Sequence, residues 1–289
     1  MSAAPLLAVD ALRVEFRTHG AVQRVLRGVS LDVGSGEIVG LVGESGGGKT
    51  MVGKAVLDVL PEQAHVTGGS IRFDGRELLT MPARERRGLL GRSMSMILQN
   101  PMTALNPVRR IGDQVAEVLR LHLGERGADA LDHVRSLLAA VGIREPGRVM
   151  RQYPHELSGG MCQRVVIAIA FACRPRLIIA DEPTTALDVT IQHQVLHLIK
   201  RLQRETGTAV LFVTHDLGVV AKLCDRVNVV FAGSLVESAD VATLFARPSH
   251  PYTAALLQAA PRYDQPDRRL APVPEALRRR LIEEIEADD

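Results

Sequence analysis

A glycine-rich segment, residues 43–50, has the residue types and spacing of a nucleotide-phosphate site. It reads Gly-Glu-Ser-Gly-Gly-Gly-Lys-Thr and fits the pattern G-x-x-x-x-G-K-S/T. The glycines let backbone N–H groups turn inward around a triphosphate, at the positive end of the helix that follows. Lys49 adds a charge for the β- and γ-phosphates, and Thr50 offers a hydroxyl to magnesium. We call this segment the P-loop. The predicted nucleotide contacts here are Gly43, Glu44, Ser45, Gly46, Gly47, Gly48, Lys49, Thr50 and Met51.

Two acidic residues at the end of an apolar segment indicate where a metal ion and a water molecule are held. Residues 177–180 are apolar and are followed by Asp181 and Glu182. An aspartate that leaves a buried strand beside a P-loop is the expected magnesium holder. Glu182, one position further out, is placed to orient or deprotonate an attacking water. Because adjacent carboxylates repel each other unless a cation is near, the pair favours a metal site.

Three other parts of the sequence give weaker indications of a nucleotide site. Gln99 follows an apolar segment and precedes a proline, so its amide can face a magnesium-bound water, although such a residue is also typical of a loop. Ser158 is a reasonable N-cap, and Gly159 and Gly160 expose N–H groups at a helix start. That pattern fits a second anion-binding helix end as well as a flexible helix entry. His215 follows another apolar segment, where a lone histidine is usually structural.

Short apolar runs predict the strands that position these side chains. Residues 177–182 have the character of a buried parallel strand and 209–214 that of another buried strand, and we also expect strands at 38–42 and 227–231. Ligands bind outside the carboxyl ends of such strands, which is where the P-loop, the acidic pair and His215 follow. We expect the run at 227–231 to be the last strand, and the turn at Gly233 to close the core.

Other segments predict an antiparallel patch, a helical insertion and a tail. Alternation between residues 6 and 33 and the hairpin signal Asp74-Gly75 indicate antiparallel strands. Two amphipathic helices are predicted by the stripes Ile111, Val115, Val118 and Leu119, and Leu131, Val134, Leu137, Leu138 and Val141. The proline-rich tail ends in a charged helix on which Leu277, Leu281 and Ile285 share a face.

Composition narrows the class of protein. The chain has 289 residues, 46% of them hydrophobic, which is enough for a full core. Its net charge of +2 gives no extended field for nucleic acid. The longest apolar run, residues 165–173, is too short to cross a bilayer, and the first residues lack a signal-peptide pattern, so we expect a cytoplasmic protein. Cys162, Cys173 and Cys224 lack metal-ligand spacing, and we expect buried thiols in a reducing compartment.

In chain order, these segments resemble the ATP-binding subunit of an ABC transporter over residues 6–261. The motifs that carry the resemblance are the P-loop, the Q-loop at Gln99, the signature Leu-Ser-Gly-Gly-Met at 157–161, the strand end Asp181-Glu182, the D-loop at 186–188 and the switch His215. The resemblance implies ATP and Mg²⁺ as ligands, with Thr50, Gln99 and Asp181 at the metal. It gives catalytic roles to Lys49, Glu182 and His215.

The same resemblance implies a dimer in which each ATP is shared between two subunits. The P-loop of one subunit and Ser158, Gly159 and Gly160 of the other hold the triphosphate, and Asp188 joins them. Phe16 is the best match to the aromatic residue that stacks on adenine, although Gly20 and its neighbours resemble an inserted turn.

Segments 99–107, 153–161 and 250–257 are similar to the peptide and nickel importer branch. The implied function is to couple ATP hydrolysis to uptake of di- or oligopeptides, and a nickel or metal-chelate importer is the alternative. A soluble ABC ATPase outside transport and a small-molecule P-loop kinase are more remote alternatives. Met161 stands where many members of the family have glutamine. No cysteine follows Cys224, so we expect no iron–sulfur cluster.

The implied fold is α/β: a P-loop NTPase core sheet with an antiparallel β subdomain, a helical insertion and a small C-terminal extension. We expect an ABC-type ATP-binding domain over residues 1–260, with the insertion at about 104–162, and an extension over 261–289. The implied partners are a second, related ATP-binding subunit, two transmembrane permease subunits and an extracytoplasmic solute-binding protein. The implied location is peripheral, on the cytoplasmic face of the inner membrane.

Overall fold

The computed structural model describes residues 4–18, 21–185, 187–259 and 272–287. They form two compact units. The first holds the described residues up to Met81 and from Leu211 onward, and the second holds Pro82–Val210. No helix in the described part of the chain combines the length and apolar character needed to span a bilayer.

The secondary structure is mixed α/β. The β-strands, in chain order, are β1 (Leu7–Thr18), β2 (Ala21–Val33), β3 (Ile38–Val42), β4 (Ala64–Phe73), β5 (Arg76–Glu77), β6 (Met94–Ile97), β7 (Leu177–Asp181), β8 (Ala209–Thr214), β9 (Arg226–Phe231) and β10 (Ser234–Asp240). The α-helices are α1 (Lys49–Val56), α2 (Ala83–Leu89), α3 (Pro101–Ala104), α4 (Ile111–Leu123), α5 (Gly127–Ala140), α6 (Pro146–Val149), α7 (Gly159–Phe171), α8 (Val189–Thr206), α9 (Leu217–Leu223), α10 (Val241–Ala246), α11 (Pro251–Ala259) and α12 (Glu275–Ala287). A 3-10 helix covers Pro154–Glu156.

The predicted antiparallel patch is a sheet of the first unit with strand order β2-β1-β4-β5. β1 runs antiparallel to both β2 and β4. Leu12 and Val14, two positions apart on β1, are fully buried, as the alternating sequence predicts. Asp74 and Gly75 form the predicted hairpin between β4 and β5, with φ angles of 51° and 74°. A two-residue turn with both φ angles positive matches the twist of the strands that it joins.

Parallel strands form the interior of the first unit. β3 lies parallel to β9, with Val39 opposite Arg226, and β8 lies on the other side of β3. Every residue of β3 and β8 is buried, as their apolar sequences predict. The prediction that 227–231 is the last strand is wrong, because β10 continues past Gly233 and pairs antiparallel with β9. β10 is mostly half-buried and polar, so it lacks the apolar run that identifies an interior strand.

The second unit combines the parallel pair β6 and β7 with packed helices. α4 and α5 confirm the two predicted amphipathic helices, and Val134 and Leu138 on α5 are fully buried. Leu131 is 47% exposed, so its place in the predicted stripe is wrong. Ala130 takes the inward position instead, at 4% exposure, because it lies four residues before Val134 and eight before Leu138.

The C-terminal helix packs on the core of the first unit. Leu281 of α12 is buried at 4% exposure. Leu277 and Ile285 pack against the same cluster, which includes Phe231 and Tyr252. The predicted shared face of these three α12 residues is therefore confirmed.

The cysteines are less buried than expected. Cys162 is fully buried, and burial raises the pKa of its thiol. Cys173 and Cys224 are only half-buried. The prediction of three buried thiols therefore holds for Cys162 alone.

Leu138→Ala and Leu131→Ala make the same change on one helix, at a buried and at an exposed position. Leu138→Ala is expected to lower the free energy of unfolding by about 2 to 5 kcal/mol, because it leaves a cavity in the core. Leu131→Ala should change it by no more than about 0.5 kcal/mol. Denaturant unfolding of both purified variants measures the difference. Equal losses would contradict the packing described for α5.

Candidate functional site

The P-loop lies between β3 and α1 in the first unit, as the sequence predicts. β3 ends at Val42 and α1 begins at Lys49. The Lys49 residue is 4% exposed. Its ammonium donates to the backbone carbonyls of Gly43 and Glu44, at 2.9 and 2.8 Å. The lysine therefore connects the end of the loop to its first two residues and fixes the curvature between them.

Two glycines in the loop leave no room for a side chain. A Cβ atom on Gly43 would lie 2.0 Å from the carbonyl oxygen of Val230, so the loop packs directly on the end of β9. Gly48 has a φ of 94°, and its Cβ would lie 2.9 Å from the carbonyl oxygen of Val25. At Gly46, in contrast, a Cβ would meet nothing within 4 Å. One part of the loop is thus held against the protein while Gly46 faces open space.

The start of α1 is suited to an anion. Its N-cap is Gly48, which has no side chain to cap the first turn, and that turn contains no acidic residue. The first N–H groups of a helix have no partner within the helix, and they lie at its positive end. Thr50 is in the first turn and is half-buried. The start of α1 therefore has the partial positive charge that favours an anion.

In the second unit, β6 and β7 bring Gln99 and Glu182 together. The two strands run parallel, with Ile97 opposite Ala180, so the residues that follow them emerge at the same edge. The Nε2 of Gln99 donates to the Oε2 of Glu182 at 3.1 Å. Two of the predicted site residues are therefore direct neighbours.

Glu182 is held in an unusual backbone conformation. Its φ is 45°, in the left-handed region that non-glycine residues rarely adopt. The hydroxyl of Thr185 donates to the same Glu182 oxygen at 2.8 Å. Asp181, the last residue of β7, is 5% exposed. The sequence did not lead us to predict a role for Thr185, although its hydroxyl lies only three residues after Glu182 in the chain.

The signature segment begins α7 in the second unit. The Oγ of Ser158 accepts a hydrogen bond from the Met161 N–H at 3.3 Å, which confirms the predicted N-cap. A Cβ on Gly159 would meet nothing within 4 Å, so this helix end is open. A Cβ on Gly160 would lie 2.9 Å from a side-chain carbon of Ile191, which places the start of α7 against α8.

The remaining predicted residues lie at strand and helix ends or within a strand. The Oδ1 of Asp188 accepts from the Ile191 N–H at 2.9 Å and caps α8. His215 follows β8 and is exposed. Phe16 is half-buried in β1, opposite Gln23 of β2. The predicted turn at Gly20, the first D-loop residue, Ala186, and the predicted domain boundary at 260/261 lie outside the described residues.

Comparison with protein families gives two matches along the chain. Residues 26–185 match the model described as ABC transporter. Residues 236–284 match the model described as oligopeptide/dipeptide transporter, C-terminal region. The first match contains the P-loop, the signature and the acidic pair, and the second contains α11 and most of α12.

Individual proteins agree with the family models. The dipeptide transport ATP-binding protein DppD of Bacillus subtilis is 47% identical over 269 residues, covering 93% of this chain and 80% of the relative. The oligopeptide transport ATP-binding protein OppD of Salmonella typhimurium is 46% identical, with the same coverage. Among solved structures, the dimeric post-hydrolysis state of the ATP-binding cassette MJ0796 bound to ADP and Pi has a TM-score of 0.72 and 25% identity. That similarity covers 81% of this chain and 98% of the cassette.

The motifs, the fold and the relatives agree. The P-loop, Gln99, the signature and the acidic pair lie inside the matched region or at the element ends where the sequence predicts them. The expected class, an α/β cassette with an antiparallel and a parallel sheet, is confirmed. This chain belongs to the ABC transporter family, as one of its ATP-hydrolysing subunits.

Proposed function

We propose that this chain couples ATP hydrolysis to the import of di- or oligopeptides. The observation that carries the substrate class is the match of residues 236–284 to the C-terminal region of oligopeptide/dipeptide transporters. The names of the relatives at 46 and 47% identity support it, because both act in peptide transport. An ATPase subunit need not touch the solute, so the chain takes part in import through permease partners.

We assign the triphosphate to the P-loop of the first unit. The loop N–H groups and the start of α1 bind phosphate oxygens, and the Lys49 ammonium adds positive charge beside the loop carbonyls that it already contacts. Thr50, Asp181 and Gln99 offer a hydroxyl, a carboxylate and an amide oxygen, which are donor types that Mg²⁺ accepts. The magnesium ion, when bound, neutralises charge that develops on the phosphates.

Glu182 is the proposed general base. The hydrogen bonds from Gln99 and Thr185 restrain one oxygen of its carboxylate, and we assign this carboxylate the task of taking a proton from the attacking water. The strained φ of Glu182 fits such a role, because unusual backbone conformations concentrate at functional sites. His215, exposed after β8, is proposed to contact the γ-phosphate.

The open start of α7 is proposed to complete the nucleotide site of a partner subunit. α7 is 13 residues long, the space beside its first glycine is open, and the N–H groups of its first turn lie at the positive end of the helix. Ser158, Gly159 and Gly160 of one subunit would then hold the ATP bound at the P-loop of the other, with Asp188 beside them. ATP binds the closed dimer more tightly than the open one, and this difference in affinity drives the permeases to their other state.

The proposal extends to the assembly in which this chain acts. We propose a related second ATPase as the partner, two permeases, an extracytoplasmic receptor and a peripheral place on the cytoplasmic face of the membrane. Residues 1–260 form the proposed ATP-binding domain, with its helical insertion at about 104–162, and 261–289 form the extension. Phe16 is the proposed adenine contact.

Glu182→Gln tests the base in the assembled transporter. ATP binding is expected to persist, while hydrolysis falls at least about a hundredfold and labelled-dipeptide uptake stops, because the amide cannot take a proton. Glu205→Gln is the matched control, since that side chain is 59% exposed and contacts Arg201. Normal turnover in Glu182→Gln would remove this residue from the mechanism.

The substrate class is tested with the transporter that contains the native chain. Uptake of a nickel chelate but not of a peptide would contradict the proposed substrate class.

Asp181→Asn tests the metal assignment. Loss of one negative charge should raise the Mg²⁺ concentration needed for half-maximal ATPase activity by about tenfold or more, because a carboxylate ligand is replaced by a neutral amide. Magnesium titration at saturating ATP measures this. An unchanged magnesium dependence would show that Asp181 does not serve the metal.

A further inference from the structure

Glu44, the second P-loop residue, is a point where several interactions converge. Its backbone carbonyl accepts from the Lys49 ammonium at 2.8 Å and from the Gly47 N–H at 3.2 Å. Its own N–H donates to the hydroxyl of Tyr252 at 3.2 Å, across 208 residues of sequence. Its carboxylate lies 3.1 Å from the guanidinium of Arg278. Both of these partners come from the C-terminal part of the chain.

Tyr252 is a rigid acceptor for the loop. Its side chain is fully buried, and its ring centroid lies 4.4 Å from that of Phe231. Burial raises the pKa of its hydroxyl to about 12, so the group stays neutral under physiological conditions. A ring packed in this way has little freedom to change position. The hydroxyl therefore provides a fixed point for the Glu44 N–H.

The helix that carries Arg278, α12, is packed on the core of the first unit. Leu281 on the same helix is buried, and Glu286 at its end lies 3.8 Å from Arg27 of β2. A cavity of about 130 Å³ is lined by Ser45 and Gly46 of the loop and by Arg278 of the helix. The helix thus contacts the P-loop through Glu44, and Ser45 and Gly46 remain exposed.

We propose that Tyr252 and Arg278 are positioning residues of the ATP site, which hold Glu44 so that Lys49 and the loop keep the geometry that receives phosphate. Neither side chain needs to touch the nucleotide, because each acts through Glu44. The inference rests on the proposed function, in which Lys49 and the loop bind the triphosphate. Through these two residues, α11 and α12 would contribute to nucleotide binding. Both helices lie largely in the region that matches the C-terminal region of peptide transporters.

The two contacts should differ in their response to salt. Removing the Tyr252 hydroxyl leaves a half-buried N–H without its acceptor, an effect that ionic strength hardly alters. The Arg278 and Glu44 side chains are 48 and 29% exposed, so their attraction is partly screened by salt. If the two residues only stabilised the fold, their substitution would not give nucleotide affinities that differ in their dependence on salt.

The test is a titration of the purified full chain with a fluorescent ATP analogue at low and high salt. Tyr252→Phe is expected to weaken binding about fivefold to tenfold at both salt concentrations. Arg278→Ala should weaken it about twofold to fivefold at low salt and little at high salt, and Arg278→Lys should restore most of the affinity. Arg280→Ala is the matched control, because Arg280 is exposed on the same helix and faces Glu284 at 3.4 Å.

Two further measurements separate positioning from folding and from catalysis. Thermal melting of the nucleotide-free variants should stay close to that of the native chain. In the assembled transporter, KM for ATP should rise while kcat stays within about twofold, since binding and not chemistry is affected.

The outcomes are distinct. If Tyr252→Phe and Arg278→Ala bind the analogue like Arg280→Ala, or lose kcat at unchanged KM, the positioning role is overturned. If Lys49→Ala binds the analogue as well as the native chain does, the proposed nucleotide site itself fails. If Lys49→Ala abolishes binding while the two tail variants bind normally, the site stands and only the inference about the tail fails.

Discussion

The hydrogen bonds from the Lys49 ammonium to the carbonyls of Gly43 and Glu44 are the interaction on which the site depends. They connect the two ends of the P-loop, which lies between β3 and α1 and is not itself a strand or a helix. The absence of a side chain at Gly43 lets the same loop pack on Val230 of β9. Because the loop is held in this way, we propose that it needs little reorganisation to receive a phosphate, which is the condition for strong electrostatic binding.

The second unit carries other predicted site residues. Its parallel strands deliver Gln99 and Glu182 to one edge, where the amide and the carboxylate are hydrogen-bonded. The positive φ of Glu182 is an uncommon backbone conformation, and such conformations concentrate at functional sites. The start of α7 is capped by Ser158 and open at Gly159, and we propose it as a second phosphate-binding end. One chain would then hold two anion-binding helix starts, which a head-to-tail dimer would use together.

Much of this arrangement could be predicted because the responsible contacts are local in sequence. The P-loop, the Ser158 cap and the Asp74-Gly75 turn each involve residues a few positions apart, so their patterns are visible in the chain. Long-range contacts leave no such pattern. Nothing near Tyr252 indicates that its hydroxyl accepts from Glu44, and β10 pairs with β9 although its own sequence is polar and half-buried. The inward position of Ala130 is different, because its spacing of four and eight residues from Val134 and Leu138 is visible in the sequence.

The most direct measurement is an experimental structure of the ATP-loaded assembly, trapped with the Glu182→Gln subunit. The account predicts that the backbone N–H groups of Gly159 and Gly160 from one subunit lie within hydrogen-bond distance, about 2.7 to 3.2 Å, of γ-phosphate oxygens bound by Lys49 of the other. A structure in which the start of α7 points away from every triphosphate would contradict the account.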